Sequence, residues 1–226
     1  TWGYGSVDTF PAEIWRSATG NNGDWQRVVE NGLGESENIF VRTLYVYGDG
    51  FYAGVSNYAT GGEIWRAETG TDWERVVVNG FGKGSGYSTV NTMVNFEGML
   101  YAGLNGTSGT QVWRCSVCST PNWEQVPVPF DTPPQSRIGV MAVFDGALYY
   151  AVGNVQTGFE VWRTRDGETW QQVGREGFGD WASYYAQAHA FYPYNGALYL
   201  GVGNSINGAE LWQYLDKQIA LPLVGR

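Results

Sequence analysis

The chain has 226 residues, with 22 Asp and Glu against 13 Lys and Arg and a formal net charge of -9. That balance excludes a nucleic-acid binder, which needs a clustered basic surface, and no apolar run reaches the length of a membrane-spanning helix. Eleven Trp and fifteen Tyr can fill a core, and the 33 glycines recur at set intervals that mark turns.

Read from the N-terminus, the chain repeats itself. TWGYGSVDTFPAEIWRSATGNNGDW is answered by GFYAGVSNYATGGEIWRAETGTDW, then by GMLYAGLNGTSGTQVWRCSVCSTPNW, GALYYAVGNVQTGFEVWRTRDGETW and GALYLGVGNSINGAELWQ. The marker is a tryptophan at Trp15, Trp65, Trp113, Trp162 and Trp212, at spacings of 50, 48, 49 and 50 residues. A self-similar period of this length means stacked units that cannot bury their apolar faces alone. The units run over about 1–36, 37–84, 85–134, 135–183 and 184–216, with a tail at 217–226, and together they make one domain. Thr1 falls inside a copy, so the chain reads as a mature or trimmed product.

Each copy holds four short β-prone runs. In the fourth these are RIGVMAVF, ALYYAVGN, FEVWRT and WQQV, with the turn Asp145-Gly146 between the first two. Asp49-Gly50 and Asn195-Gly196 occupy corresponding places and mark tight hairpins. The third run carries Glu-apolar-Trp-Arg at Glu13–Arg16, Glu63–Arg66 and Glu160–Arg163, with variants at Gln111–Arg114 and Glu210–Gln213. Four antiparallel strands per repeat predict an all-β fold, a five-bladed β-propeller of roughly 48–50-residue blades.

Cys115 and Cys118 are the only cysteines. A lone CxxC cannot supply four zinc ligands, so the pair reads as a disulfide across a hairpin end, in an oxidising and hence extracellular setting. No metal or cofactor is expected. Asn105-Gly106-Thr107 is a formal glycosylation sequon.

Thr164-Arg-Asp-Gly-Glu-Thr-Trp170 resembles the Asp-box hairpin of sialidases and many other propellers. Ser17–Trp25 and Ala67–Trp73 are looser versions without its aspartate in place. Repeat length and the mid-blade start also resemble tachylectin-like five-bladed propellers, and that resemblance implies sugar binding.

The copies carry no assembled catalytic set. Glu at the same place in four copies reads as structural, and His189 is the sole histidine, so no nucleophile–His–Asp constellation forms. Asn57, Asn105, Asn154 and Asn204 each lie eight residues before the third-strand Trp, as ligand contacts or as caps of the turn. Tyr87, Trp181 and Tyr184 add aromatic rings on neighbouring loops that suit a sugar face. The tail, with Ile219, Leu221 and Leu223, is expected to complete the first blade in cis or in trans. These features lead to the expectation of a non-catalytic, secreted, multivalent binding module for glycans at a cell surface or matrix. The alternatives are a filament subunit assembled by its C-terminal strand and, third, a glycoside hydrolase-like propeller.

Overall fold

A computed structural model describes residues 10–119, 122–130, 136–185, 190–215 and 218–222, with backbone alone at 136–138, 184–185, 214–215 and 218–222. The first unit contributes β1 (Ile14–Arg16) and β2 (Gln26–Val29). The second is β3 (Asn38–Tyr47), β4 (Gly50–Asn57), β5 (Glu63–Ala67) and β6 (Glu74–Val77). The third is β7 (Thr89–Phe96), β8 (Met99–Gly106), β9 (Gly109–Cys115) and β10 (Glu124–Val126). The fourth is β11 (Ser136–Phe144), β12 (Ala147–Asn154), β13 (Glu160–Thr164) and β14 (Gln171–Gln172). The last holds β15 (Ser183–Tyr185), β16 (Phe191–Tyr194), β17 (Ala197–Asn204), β18 (Gly208–Leu215) and β19 (Gln218–Pro222). Each unit is an antiparallel meander, and the second and third are joined where Ser56 pairs with Thr89.

The apolar cores lie between successive units, which is why no unit can fold alone. Ile14 and Val29 pack on Ala53, Val55 and Trp65. Tyr52 and Ile64 meet Val90, Leu104 and Trp113. Tyr101 and Phe130 meet Leu148 and Tyr150, and Tyr149 and Phe159 meet Leu200 and Trp212. Strand alternation assigns each unit two apolar faces, one for each neighbour. This is a β-propeller. The third-strand tryptophans Trp65, Trp113 and Trp212 are buried in these seams, whereas Trp15 of the two-stranded first unit is 50% exposed.

Turn chemistry sets the hairpins. Asp145 and Gly146, at φ 47° and 63°, form a two-residue loop between Phe144 and Ala147, and Asn195-Gly196 does the same in the last unit. In the second unit the loop is Gly48–Asp49, one residue earlier than expected, because Tyr47 pairs with Gly50. The connections between units share a left-handed turn at Asn31–Gly34, Asn79–Gly82 and Glu176–Gly179. Gly80, at φ 56°, is required there, since a Cβ would stand 2.6 Å from the Tyr87 carbonyl oxygen.

The tail corrects one expectation. β19 pairs antiparallel with β18, Gln213 opposite Leu221 and Trp212 opposite Pro222, so Ile219 and Leu221 belong to the outer strand of the last unit. They do not complete the first unit, and Leu223 lies outside the described residues. The outer edge of β18 was the unfilled position beside it. Strand donation to another molecule therefore has no support in this structure.

The hairpin Thr164–Trp170 is tied by its own aspartate. Asp166 Oδ1 accepts from Glu168 N (2.9 Å), Thr169 N (2.7 Å) and Thr164 Oγ1 (2.9 Å). In the two looser copies an aspartate just before the Trp takes over. Asp72 accepts from Thr69 N at 2.8 Å, and Asp24 accepts from the Thr19 hydroxyl.

Candidate active site

The strand-end asparagines point inward. Asn57 is 2% exposed; its Oδ1 accepts from Ala59 N (3.1 Å) and Thr60 N (2.9 Å), and its Nδ2 donates to Asn38 Oδ1 (3.0 Å). Asn154 and Asn204 accept from the corresponding loop N–H groups at 2.9 to 3.4 Å. Asn105 instead ties two units, accepting from Asn91 Nδ2 (2.6 Å) and Gly139 N (3.3 Å) and donating to Thr110 Oγ1 (2.6 Å). Its burial covers the sequon nitrogen. The buried Asn57 and Asn105 amides are thus satisfied inside the protein, as buried polar groups must be, and the half-buried Asn154 donates its Nδ2 to Glu160 Oε1 (3.3 Å).

Tyr87 packs its ring into the seam between the second and third units and donates its hydroxyl to Ser108 O (3.3 Å). Trp181 stands in solvent at 60% exposure. The Tyr184 side chain and His189 lie outside the described residues. Cys115 and Cys118 are joined in a disulfide with Cα atoms 5.4 Å apart. No group of three metal-ligating side chains occurs among the described residues.

The recurrent third-strand acid has one common task. Glu13, Glu63, Glu160 and Glu210, and Gln111 in the third unit, each accept from the indole N–H of the Trp two residues on, at 2.9 to 3.1 Å. Alternation puts both side chains on one strand face, and the bond orients the indole in its seam. The units differ in what else reaches that carboxylate. In the second unit Arg75, which pairs with Trp65 across β5 and β6, contacts both Glu63 (3.1 Å) and Glu35 (3.2 Å). In the first unit Arg27 takes Glu13 (2.7 Å).

The last unit keeps the two carboxylates and lacks the cation. Asp180 holds the loop position of Glu35, and Pro222 stands opposite Trp212 where Arg75 stands opposite Trp65. Asn204 Nδ2 lies 2.8 Å from Asp180 Oδ2 and 3.0 Å from Glu210 Oε1. Ser183 Oγ donates to Glu210 Oε2 (3.0 Å), and Asp180 Oδ1 accepts from Ala182 N (2.9 Å). Among the described residues no arginine or lysine bonds either carboxylate. The shared amide keeps the nearest oxygens within about 6 Å, the range in which a pair of carboxyl groups can divide acid and nucleophile roles. Asn204 and Ser183 are buried, while Asp180 and Glu210 are partly open to solvent.

Sequence reasoning missed this pair because it read Glu210 as one of a uniform series. The signal was in the copies. The fourth-strand runs WQRV, WERV, WEQV and WQQV offer Arg27, Arg75, Gln125 and Gln172, and the tail offers no counterpart.

No protein-family model matches the chain, and no curated protein matches it in sequence. Solved structures do match in fold. An exo-β-1,3-galactanase of Clostridium thermocellum superposes with a TM-score of 0.54 at 13% identity, covering 83% of this chain and 50% of that one. The GH43B protein of a Bacteroides ovatus xyloglucan locus superposes at 0.51 and 14% identity, covering 81% and 40%. The chain therefore spans half or less of the length of these two. A thermostable family-43 glycoside hydrolase gives 0.50 at 9% identity, with 81% and 71% covered. These likenesses are of fold. They also correct the expectation of a non-catalytic binding or filament module, because these solved structures include an exo-β-1,3-galactanase and a family-43 glycoside hydrolase.

Proposed function

We propose that the chain is a carbohydrate-active propeller that cleaves glycosidic bonds, with Asp180 and Glu210 as its acidic pair. The observation that carries this reading is the amide-bridged pair itself, which has no guanidinium such as Arg75 supplies in the second unit. Three donors, Ser183 Oγ, Asn204 Nδ2 and Trp212 Nε1, orient the Glu210 carboxylate. Glu210 serves as nucleophile, bonding the anomeric carbon, while the Asp180 carboxyl acts as general acid and gives a proton to the departing oxygen. Water, deprotonated by Asp180, then releases the sugar and restores both groups. The fold likeness to an exo-β-1,3-galactanase and a family-43 glycoside hydrolase supports a glycan such as β-1,3-galactan as substrate. The Cys115–Cys118 disulfide fits an oxidising, extracellular setting.

The test is a panel of aryl arabinofuranosides, xylosides and galactosides, together with arabinan, xylan and β-1,3-galactan. Sugar release by the intact chain, lost in Asp180→Asn with the fold preserved by circular dichroism, is the expected result. No release on any substrate at any pH from 4 to 8 would remove the reading.

A further inference from the structure

Beside the carboxylate pair lies an apolar surface that the repeat does not explain. β15 pairs with β17 so that Ser183 is opposite Asn204, and Ser205 N donates to Ala182 O at 3.0 Å. Trp181 directly precedes Ala182 in that pairing, and Ile206 directly follows Ser205 in the turn after β17, so the two side chains flank one backbone contact. Both are open to solvent, at 60% and 70% exposure, although Trp and Ile rank among the residues a fold most gains by covering. In the second unit the residue after Glu35 is Ser36, so the indole is peculiar to the loop that carries the cation-free pair. Trp181 follows Asp180 directly, so its backbone stands one residue from a carboxylate of the pair.

We infer that Trp181 and Ile206 form a platform on which an uncharged sugar ring stacks beside Asp180 and Glu210, and that the site rejects acidic sugars. This rests on the proposed function for the role of the pair but not for the platform. A sugar ring has an apolar C–H face and a rim of hydroxyls. The indole offers a flat apolar face with an N–H at its edge, and the carboxylates accept hydroxyl protons. Charge sets the class. Two carboxylates with no described cation, in a chain of net charge -9, repel a uronate or a sulfated ring. Recognition of an acidic glycan would instead call for an arginine at the site.

The experiment is direct binding of xylotriose, arabinotriose and β-1,3-galactotriose to the intact chain, by calorimetry and tryptophan fluorescence, against trigalacturonate. At least one neutral trisaccharide binds, Trp181→Ala weakens it about fivefold or more, and Trp181→Phe retains most of the affinity. Trigalacturonate binds about tenfold more weakly at low salt, and raising the salt narrows the gap. Where turnover is measurable, Trp181→Ala raises KM more than it lowers kcat. Binding that depends on Trp181 without any turnover would support the platform and reject the hydrolytic role. Turnover with KM and affinity unaltered in Trp181→Ala would reject the platform and leave the hydrolytic role standing. No binding of any neutral trisaccharide at millimolar concentration, or equal binding of trigalacturonate, would overturn the inference.

Discussion

Arg75 Nη1 lies 3.1 Å from Glu63 Oε1, and the same nitrogen reaches Glu35 Oε1 at 3.2 Å, so one guanidinium bridges two carboxylates in the second unit and offsets half of their charge. In the last unit Pro222 holds the strand position of Arg75, and Asn204 Nδ2 stands between Glu210 and Asp180. An amide can align two carboxylates but cannot cancel their charge. Without the guanidinium, the carboxylates of the last unit have chemistry available to them.

The buried asparagines hold the loops, which gives a first prediction. Asn57→Ala removes the acceptor for Ala59 N and Thr60 N and the donor to Asn38 Oδ1. Leaving the buried Asn38 Oδ1 without its donor costs about 1–3 kcal/mol, so the thermal midpoint should fall by several degrees with sugar affinity unaffected. Calorimetry of the variant checks this. An unshifted midpoint would mean that water replaces the amide without loss.

Arg114 fastens the third unit to the fourth. Its guanidinium donates to Glu168 Oε1 (2.8 Å) and Gly167 O (3.3 Å) in the next unit's hairpin and to Tyr101 Oη (3.4 Å) in its own. Its side chain is largely buried while Glu168 is exposed, so solvent screening limits the ion-pair part. Arg114→Ala should cost roughly 1–2 kcal/mol, and Arg114→Lys should recover little of it because the fork is lost. Urea unfolding of both variants measures it. Full recovery by lysine would show that charge alone matters.

Acid should loosen the hairpins before the cores. Hydrogen bonds from the Thr69 hydroxyl and N–H bring Asp72 down to about 2, and the Thr169 and Glu168 N–H groups with the Thr164 hydroxyl hold Asp166 well below the usual carboxylate range. A depressed folded pKa adds stability that is present above the unfolded value, about 4, and lost as pH falls through the folded value. The thermal midpoint of the native chain should therefore drop between about pH 4 and pH 2. In the Asp72→Asn, Asp166→Asn double variant that slope should be shallower. Parallel slopes would assign the acid sensitivity to other carboxylates.

Much of the fold is legible in the sequence, because the repeat is written in residues with strong local rules. The third-strand tryptophans, the Asp145-Gly146 and Asn195-Gly196 loops and the alternation of each strand lead to stacked meanders without any tertiary information. The tail is not legible that way. Its sequence lacks the fourth-strand Trp, and only the edge left open by β18 decides where it pairs. The asparagines mislead in a different manner. Their spacing is right, but whether an amide points into a turn or toward a ligand depends on N–H groups two and three residues on. The Asp180–Glu210 pair is the least legible, since it depends on residues 30 apart and on a cation missing from a fourth strand.

The most direct test of the central claim compares two glutamates that hold the same strand position. Glu160 and Glu210 each accept from the indole two residues on, at 2.9 and 3.1 Å, but only Glu210 is bridged to Asp180 through the asparagine among the described residues. The measurement is the rate of glycoside hydrolysis by Glu160→Gln and Glu210→Gln, each confirmed as folded. The account predicts that Glu210→Gln falls by about a thousandfold or more, the scale on which loss of a catalytic group is felt, while Glu160→Gln stays within a few-fold of the native rate. Equal rates in the two variants would contradict it.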